Sequence, residues 1–564
     1  MQRKTYIIIT VSLAVLFVWF QIIMLNLVWD RNWVTNAQAA ESTTVSLGTS
    51  NLLQSAFVSQ PPMDAETMQQ NEDVPEQSAY LKYYIIAPEK SAIYDTVALT
   101  LKLLRMPFES FTTLDLLPET PPDSLTGVII CTGDTDSIGN VNKLFNYLAL
   151  KKEALFAAKL DQNASNYYAF CEKLDIVESY GEVAQEGIDF LDDVLLSGLY
   201  LDAKVDTVVN DVRVGGRSRL YAVGHNDDVP TNERYPIIWR TLHEGGAVYV
   251  INSDMLENFA YMGVLTGVLG QNKEAFVYPI VNSSTFMINA LPYYSTENSH
   301  NLLTAYSRDI IQLQRDVLWS DIISISKSME IKYTFFPYTG EGQSDIEAAL
   351  LEYYGKEISY NSAEIGAYKS DIFAKTFPNY RFATELFYHL PQSGARVIAE
   401  NNVFGYLDDN TVILPATTQG IRLSQHDVFE AISLSSGLGY LSHLTDLMPI
   451  MEDTSGIDQW TQVKRSYGDG LYDLLIRTKH LKKDTAAEAA EKMRVYLQSR
   501  PEVDVLENEI IIKGQDIGET FFVFRSVRDI TGYENCEMMP LRFKTYLVTV
   551  PQGKDAVIHT KEAI

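Results

Sequence analysis

The sequence predicts an α/β protein in several domains, set behind a membrane-spanning N-terminal helix and ending in a small β-rich domain. Three observations carry this. Thr5–Trp29 is an apolar run without a charged residue. From residue 80 onward, short apolar runs alternate with amphipathic stretches, as strands and helices do when they take turns along a chain. After residue 501 the runs are short, rich in β-branched and aromatic residues, and separated by turns.

The totals bound the reading. A chain of 564 residues has room for about three or four domains with cores of their own. Asp and Glu number 73 against 45 Lys and Arg, a formal charge of -28. Nucleic-acid phosphates would be repelled, so no nucleic-acid partner is expected. Cys131, Cys171 and Cys536 are odd in number and widely spaced, which supplies neither a disulfide framework nor a zinc cluster. No cysteine closely follows the apolar run, which excludes a lipoprotein anchor.

Residues 1–33 read as a cytoplasmic tip and a transmembrane signal anchor. The run of about 25 residues, at roughly 1.5 Å each, crosses a bilayer core of about 30 Å. Arg3 and Lys4 ahead of it place the N-terminus in the cytoplasm and the bulk outside. Trp19, Trp29 and Trp33 suit the interfaces. The rival is a signal peptide cleaved after Ala37-Gln38-Ala39, but the apolar core is longer than the ~7–15 residues of such a peptide. Residues 34–79 are polar and Pro-containing, without periodicity, and read as a flexible linker.

Residues 80–275 open with LKYYIIAP, a buried strand, followed by a helical stretch, and the pattern repeats through LTGVIICTG and IGNVNKLFNYLALKKEA. A parallel sheet with helices on both faces is expected. PIIWRTLH reads as a helix stopped at Gly245-Gly246, and VYVIN as the next strand. Residues 214–236 read as a strand pair or loop excursion, with His225, Asp227 and Asp228 as a metal candidate. Cys131, at a strand end, reads as a buried thiol. There is no G-x-G-x-x-G and no P-loop. The domain resembles a flavodoxin-like or amidotransferase-like sheet.

In residues 276–500, FVYPIVNSSTFMINALPYY, a helix through WSDIISISKSM, and EIKYTFFPYT follow one another. This order resembles the opening of the NodB-type polysaccharide deacetylase (β/α) barrel, whose second strand has the form K-x-T-F-F; Lys332–Phe336 matches it. SAEIGAYKSD (362–371) and GLGYLSHLTDLM (437–448) stand where that family carries its two metal-binding His and its last-strand His. More narrowly, the layout resembles an uncharacterised bacterial family associated with Pel-type exopolysaccharide clusters.

The resemblance implies an Asp pair on the first strand, an Asp-His-His metal site and a catalytic His. The chain departs from it. Asn289-Ala290, or Ser283-Ser284, stands where the Asp pair belongs, and Tyr368 with Asp371 or Ile372 where the His pair belongs. An amide and a phenol do not replace carboxylate and imidazole around a divalent metal. The expectation is therefore a degenerate barrel with no metal and no cofactor. Glu364, Asp371 and His443 remain as candidate catalytic groups, since glycoside hydrolysis needs only two carboxylates. Asn289, Tyr293, Tyr294, Tyr338 and Tyr368 are candidate sugar-binding residues, aromatic faces and phenols being suited to sugar rings and hydroxyls.

The resemblance then implies a membrane-anchored, extracytoplasmic protein of exopolysaccharide biosynthesis or export. Its expected partners are a polysaccharide, with an amino-sugar polymer suited to the acidic balance, and membrane synthesis-complex proteins. The alternative is an active deacetylase or glycoside hydrolase with an atypical site. Helices WTQVKRSYGDGLYDLLIRTKH and DTAAEAAEKMRVYLQS close the domain. The tail, 501–564, reads as a small antiparallel sandwich or a sheet packed on the barrel.

Overall fold

The first described strand, β1 (Lys82–Ile86), is buried on both faces: Tyr83 and Ile85 enter one core, Tyr84 and Ile86 another. That is why its sequence is apolar without alternation. The computed structural model describes residues 81–197, 202–226, 228–243, 245–294, 299–339, 364–365, 367–368, 384–386, 395–398, 404–406, 411–452 and 455–561. The expected anchor and linker lie outside them. Among the described residues no helix is long and apolar enough to cross a membrane.

The chain continues through α1 (Ala92–Leu103), β2 (Phe108–Phe111), β3 (Leu125–Ile130), α2 (Val141–Ala149), β4 (Glu153–Phe156) and α3 (Tyr167–Lys173). Next come β5 (Ile176–Gln185), β6 (Ile188–Phe190), β7 (Asp202–Ala203), β8 (Thr207–Val214), β9 (Arg219–Gly224), β10 (Pro236–His243) and β11 (Gly246–Ile251), then α4 (Met262–Leu269). Nine of these strands form one sheet in the order β2-β1-β3-β4-β11-β10-β9-β6-β7. β5 and β8 form a separate antiparallel ribbon. Helices α1 and α4 cover one face, α2 and α3 the other.

Two expectations are corrected here. The sheet is parallel only from β2 to β11; from β11 through β10, β9 and β6 to β7 each successive pair is antiparallel. PIIWRTLH is not a helix but strand β10, paired with β11 from Ile238↔Ile251 to His243↔Gly246. Its Ile-Ile-Trp run fills both cores, Ile237 and Ile238 on one side and Trp239 on the other. Gly245, at φ 98°, makes the hairpin turn instead of a helix cap. Cys131 is buried in apolar surroundings that push its thiol up. His225 pairs with Asp189, which also holds Arg234; Asp227 lies outside the described residues.

The barrel follows. Its elements are β12 (Phe276–Ile280), β13 (Ser283–Tyr294), α5 (Ser299–Tyr306), α6 (Trp319–Met329), β14 (Tyr333–Thr339), β15 (Glu364–Ile365), β16 (Ala367–Tyr368), β17 (Thr384–Leu386), β18 (Ala395–Ile398), β19 (Val412–Pro415) and β20 (Thr418–Gln419). Then come α7 (Gln425–Leu438), β21 (Tyr440–Asp446), α8 (Gln459–Arg477), β22 (Lys483–Asp484) and α9 (Ala486–Gln498). Every pairing around the ring is parallel: β13 with β14, β14 with β15, β16 with β17, β17 with β18, β18 with β19, β20 with β21, and β21 back to β13. The strands fall in two sheets, β15-β14-β13-β21-β20 and β16-β17-β18-β19, and the chain passes from one to the other after β15 and after β19. Met287, Phe336, Val412, Leu414 and Leu444 share one cluster although they come from different sides of the ring, so they face its interior. Phe286, Ile288, Tyr333 and Phe335 point outward, into the layer that holds α6 and α8.

β12 departs from the expected order. FVYPI does not open the barrel; it pairs antiparallel with the tail strand Thr520–Arg525. The tail is a sandwich of two four-stranded sheets around Val277, Ile510, Phe522, Val548 and Ile558, and β12 is one of its strands. The outward layer of the barrel and one face of the first sheet form one continuous core. α4 crosses α7 there at very close range: a Cβ on Gly263 would stand 1.9 Å from the Ser433 carbonyl oxygen.

Candidate functional site

The barrel strands end, at their carboxyl side, in a group of polar side chains on β13, β14 and β21. In parallel barrels this is the end where loops converge and ligands bind. Asn289 and Asp446 are register partners on adjacent strands. They share the face of Met287 and Leu444, so both look into the ring. Asn289 Nδ2 donates to Asp446 Oδ1 at 2.9 Å, and the Met448 amide donates to the same oxygen at 3.0 Å. Burial raises the Asp446 carboxyl above its ordinary range, and the nearby Glu452 charge adds to this; the two hydrogen bonds offset part of it.

Immediately after Asn289 the backbone breaks its pattern. Ala290 takes φ 60°, a left-handed conformation rare for a residue with a Cβ, and the pairing register shifts between Asn289 and Tyr293. The displaced strand end is pinned by Gln314. Its Oε1 accepts from the Tyr293 amide at 2.6 Å, and its Nε2 donates to the Tyr293 carbonyl at 2.8 Å. Gln314 opens a five-residue π turn ahead of α6, a kind of local widening that recurs at functional sites. The result places the Tyr293 ring against Tyr338, centroids 4.9 Å apart and 11° from parallel, with the Tyr293 hydroxyl donating to Glu452 Oε1 at 3.0 Å.

The remaining candidates are placed elsewhere. His443 lies on the opposite face of β21 from Asp446. It is fully buried in the outer layer beside Phe286 and the α8 residue Tyr467. Nδ1 is 3.0 Å from Thr418 Oγ1 and Nε2 is 3.1 Å from Thr445 Oγ1, and burial lowers the ring pKa to about 4. It therefore does not reach the barrel mouth, because alternation along β21 turns it outward. Glu364 is drawn toward the other end of the strands. Its Oε2 accepts from Thr334 Oγ1 at 3.1 Å and from the Ala487 amide in the first turn of α9 at 2.9 Å, where a carboxylate is favoured. Tyr294 and Tyr368 lie on β13 and β16, with side chains outside what the structure describes. Asp371 lies outside the described residues.

The deacetylase resemblance implies a metal at this mouth. Among the described residues, no three His, Cys, Asp or Glu side chains converge to hold an ion. At the mouth, an amide stands where a carboxylate ligand would be needed, and the last-strand imidazole faces away. The described residues at the mouth do not fit the group.

Residues 221–369 and 362–547 match the model of DUF2194, a family of uncharacterised proteins conserved in bacteria. The chain belongs to this family. The match spans most of β9, strands β10 and β11 of the first sheet, the barrel and most of the tail, and it includes every residue of the DUF2194 barrel mouth named above. No curated protein matches the chain. Among solved structures, similarity is found to Agd3, a novel carbohydrate deacetylase, at 10% identity over 86% of this chain and 99% of that one, TM-score 0.49. A ThuA-like protein from Bacteroides uniformis matches at 12% identity over 35% of this chain and 94% of that one, TM-score 0.26. A β-galactosidase from Rahnella sp. R3 matches at 9% identity over 36% of this chain and 34% of that one, TM-score 0.25.

Asp446, Glu452 and Gln314 are the residues that sequence reasoning missed. Asp446 had a signal: a carboxylate closing the strand run YLSHLTD, at the end of a parallel strand where sites form. Glu452 and Gln314 had none, since each acts through a partner distant in the chain.

Proposed function

We propose that this DUF2194 protein holds a carbohydrate polymer at the mouth of its barrel, as a membrane-tethered, extracytoplasmic component of exopolysaccharide assembly or export of the Pel type. The observation that carries the sugar-binding part is the group at the carboxyl ends of β13, β14 and β21: a stacked tyrosine pair beside a buried amide–carboxyl pair. Such a mixture of aromatic surface and fixed polar atoms suits a ring with several hydroxyls. Supporting the tether are the charge-free run Thr5–Trp29 and the basic residues Arg3 and Lys4 before it. Supporting the assembly role is the layout of anchor, α/β sheet, barrel and β tail. In this reading the barrel grips polymer and passes it to partner subunits in the membrane, and it does not deacetylate through a metal.

The test is co-sedimentation of full-length protein with purified polysaccharide, together with co-purification of synthesis-complex subunits from membranes. Retention of polymer that is lost on Tyr338→Ala supports the reading. Absence of both polymer and subunits ends it. A second reading, an active carbohydrate-modifying enzyme, is favoured by one observation: Asp446, a carboxyl raised by burial, has the property of a general acid. Acetate or reducing ends released from sugar oligomers by wild type but not by Asp446→Asn would establish it.

A further inference from the structure

Arg213 and Arg234 line one cavity of about 170 Å³, together with Asn226, Val229, Glu233 and Tyr235. Arg213 comes from β8, and the other five come from the connection between β9 and β10. Two contacts hold the Arg213 guanidinium in place. Its Nη1 donates to the Glu233 carbonyl at 2.8 Å, and the group lies over the Tyr235 ring, 5.6 Å from the ring centre. Its Nε and Nη2 have no partner among the described residues, and no carboxylate there pairs with it, although the chain carries 73 Asp and Glu. Arg234 is more enclosed, its side chain 13% exposed. Its Nε donates to the Val229 carbonyl at 2.8 Å and its Nη1 to Asp189, so Nη2 is left without a partner among the described residues. Asn226 Oδ1 accepts from the Asp228 amide at 3.0 Å, which makes Nδ2 the free end of that side chain. Glu233 brings the one carboxylate among the lining residues. The uncommitted atoms of this cavity are therefore mostly donors, and two of the groups that bear them are cations.

We propose that this cavity binds the carboxylate of an acidic sugar, Arg213 and Arg234 donating to its two oxygens. The residues are not those of the barrel mouth, and the proposal does not depend on that reading. A guanidinium fork matches a planar carboxylate, and one already held by a ring and a hydrogen bond loses little freedom on binding. The formal charge of -28 does not forbid an anion here. Exposed charges more than about 8–10 Å apart are largely screened at physiological salt, so the nearest groups decide. Volume and charge narrow the ligand further. At about 30 Å³ for each water, the cavity has room for more than a bare carboxylate and admits part of a ring behind it. Glu233 disfavours a phosphate monoester, which carries about -1.5 to -2 at neutral pH. A sugar acid brings a single charge, and its hydroxyls donate to Glu233 and accept from Asn226 Nδ2.

The experiment is calorimetry on the full-length protein with equal-length oligomers of glucuronic acid and of glucose, and with inorganic phosphate. The glucuronic acid oligomer is expected to bind about tenfold or more tightly than either, a charge-assisted hydrogen bond being worth at least that ratio. Sugar binding at the barrel mouth would serve both oligomers, so their difference reports on this cavity. Arg213→Gln should abolish the preference, and Arg213→Lys, which keeps the charge but not the fork, should lose most of it. If the Arg213 variants do not fold, Glu233→Gln decides. That side chain is exposed, and removing its like charge from the lining should tighten glucuronic acid binding by about two- to fivefold, with glucose binding unchanged. Equal binding of the two oligomers, or phosphate bound as tightly as the acid, overturns the site. So does a preference that survives Arg213→Gln or, in its place, an affinity unchanged in Glu233→Gln.

Discussion

Asn289 and Asp446 face each other across neighbouring parallel strands, joined by one hydrogen bond of 2.9 Å from Asn289 Nδ2 to Asp446 Oδ1, and the Asn289 side-chain oxygen receives no donor among the described residues. The pair is polar, largely enclosed and incompletely bonded, which is the condition in which buried groups cost most and bind best. Its energetics yield the first prediction.

Asp446→Asn is expected to stabilise the fold at neutral pH. The folded carboxyl titrates above its unfolded value, so the native state binds the proton more tightly. The stability this gives is present in acid and is lost as pH rises through the raised range. Asparagine keeps the shape and removes the charge that must be buried at pH 7. Urea denaturation at pH 5 and pH 8 should show the variant gaining on wild type as pH rises. No gain at pH 8 would mean that Asp446 is better solvated than its surroundings suggest.

Acid should act oppositely through two buried histidines. His443 and His480 are both lowered from 6.5 to about 4 by burial. The unfolded chain takes up these protons first. Stability is therefore full above pH 6.5 and falls as pH drops toward 4, by on the order of 3 kcal/mol per histidine. Replacing His443 by Gln should flatten that part of the stability profile, measured between pH 7 and 4.5.

How far the sequence discloses this arrangement depends on range. The strand Tyr333–Thr339 and the capping box of Thr485 with Glu488 are local, and short strings announce them. PIIWRTLH misleads because a helix and a doubly buried strand are both rich in apolar residues, and only the pairing with β11 separates them. His443 attracts notice by residue type, yet period-two alternation from His443 to Asp446 puts the two on opposite faces, and Asp446 is the one that looks inward. Glu364 could not be assigned at all from its neighbours, since the helix start that holds it arrives more than a hundred residues later.

The shared core between the first sheet and the barrel makes Gly263 and Gly267 sensitive. A Cβ on either would stand 1.9 Å from a carbonyl oxygen, of Ser433 and Val194 respectively. Backbone must move to admit it, so Gly263→Ala and Gly267→Ala should each lower stability by about 1–3 kcal/mol or more. Chemical denaturation checks this. A change under about 0.5 kcal/mol, the range of neutral surface substitutions, would contradict the close helix crossing.

The tyrosine pair separates binding from folding. Tyr293 is buried and holds Glu452 through its hydroxyl, whereas Tyr338 is only half-buried. Removing the Tyr338 ring exposes one side of Tyr293 and forfeits a stacked pair worth about 0.5–1.5 kcal/mol, a modest loss of stability. If the ring contacts ligand, Tyr338→Ala should weaken oligosaccharide binding about tenfold. Each stacked contact and its excluded water is of that order. Tyr293→Phe keeps the stack and frees Glu452 from its phenol donor, so polymer binding should change by less than about threefold, the worth of one weak, partly buried hydrogen bond. Titration of both variants with the same oligomer tests the pair. An unchanged affinity in Tyr338→Ala, with its melting temperature lowered as expected, would assign the stack to packing alone and move the sugar surface elsewhere on the barrel mouth.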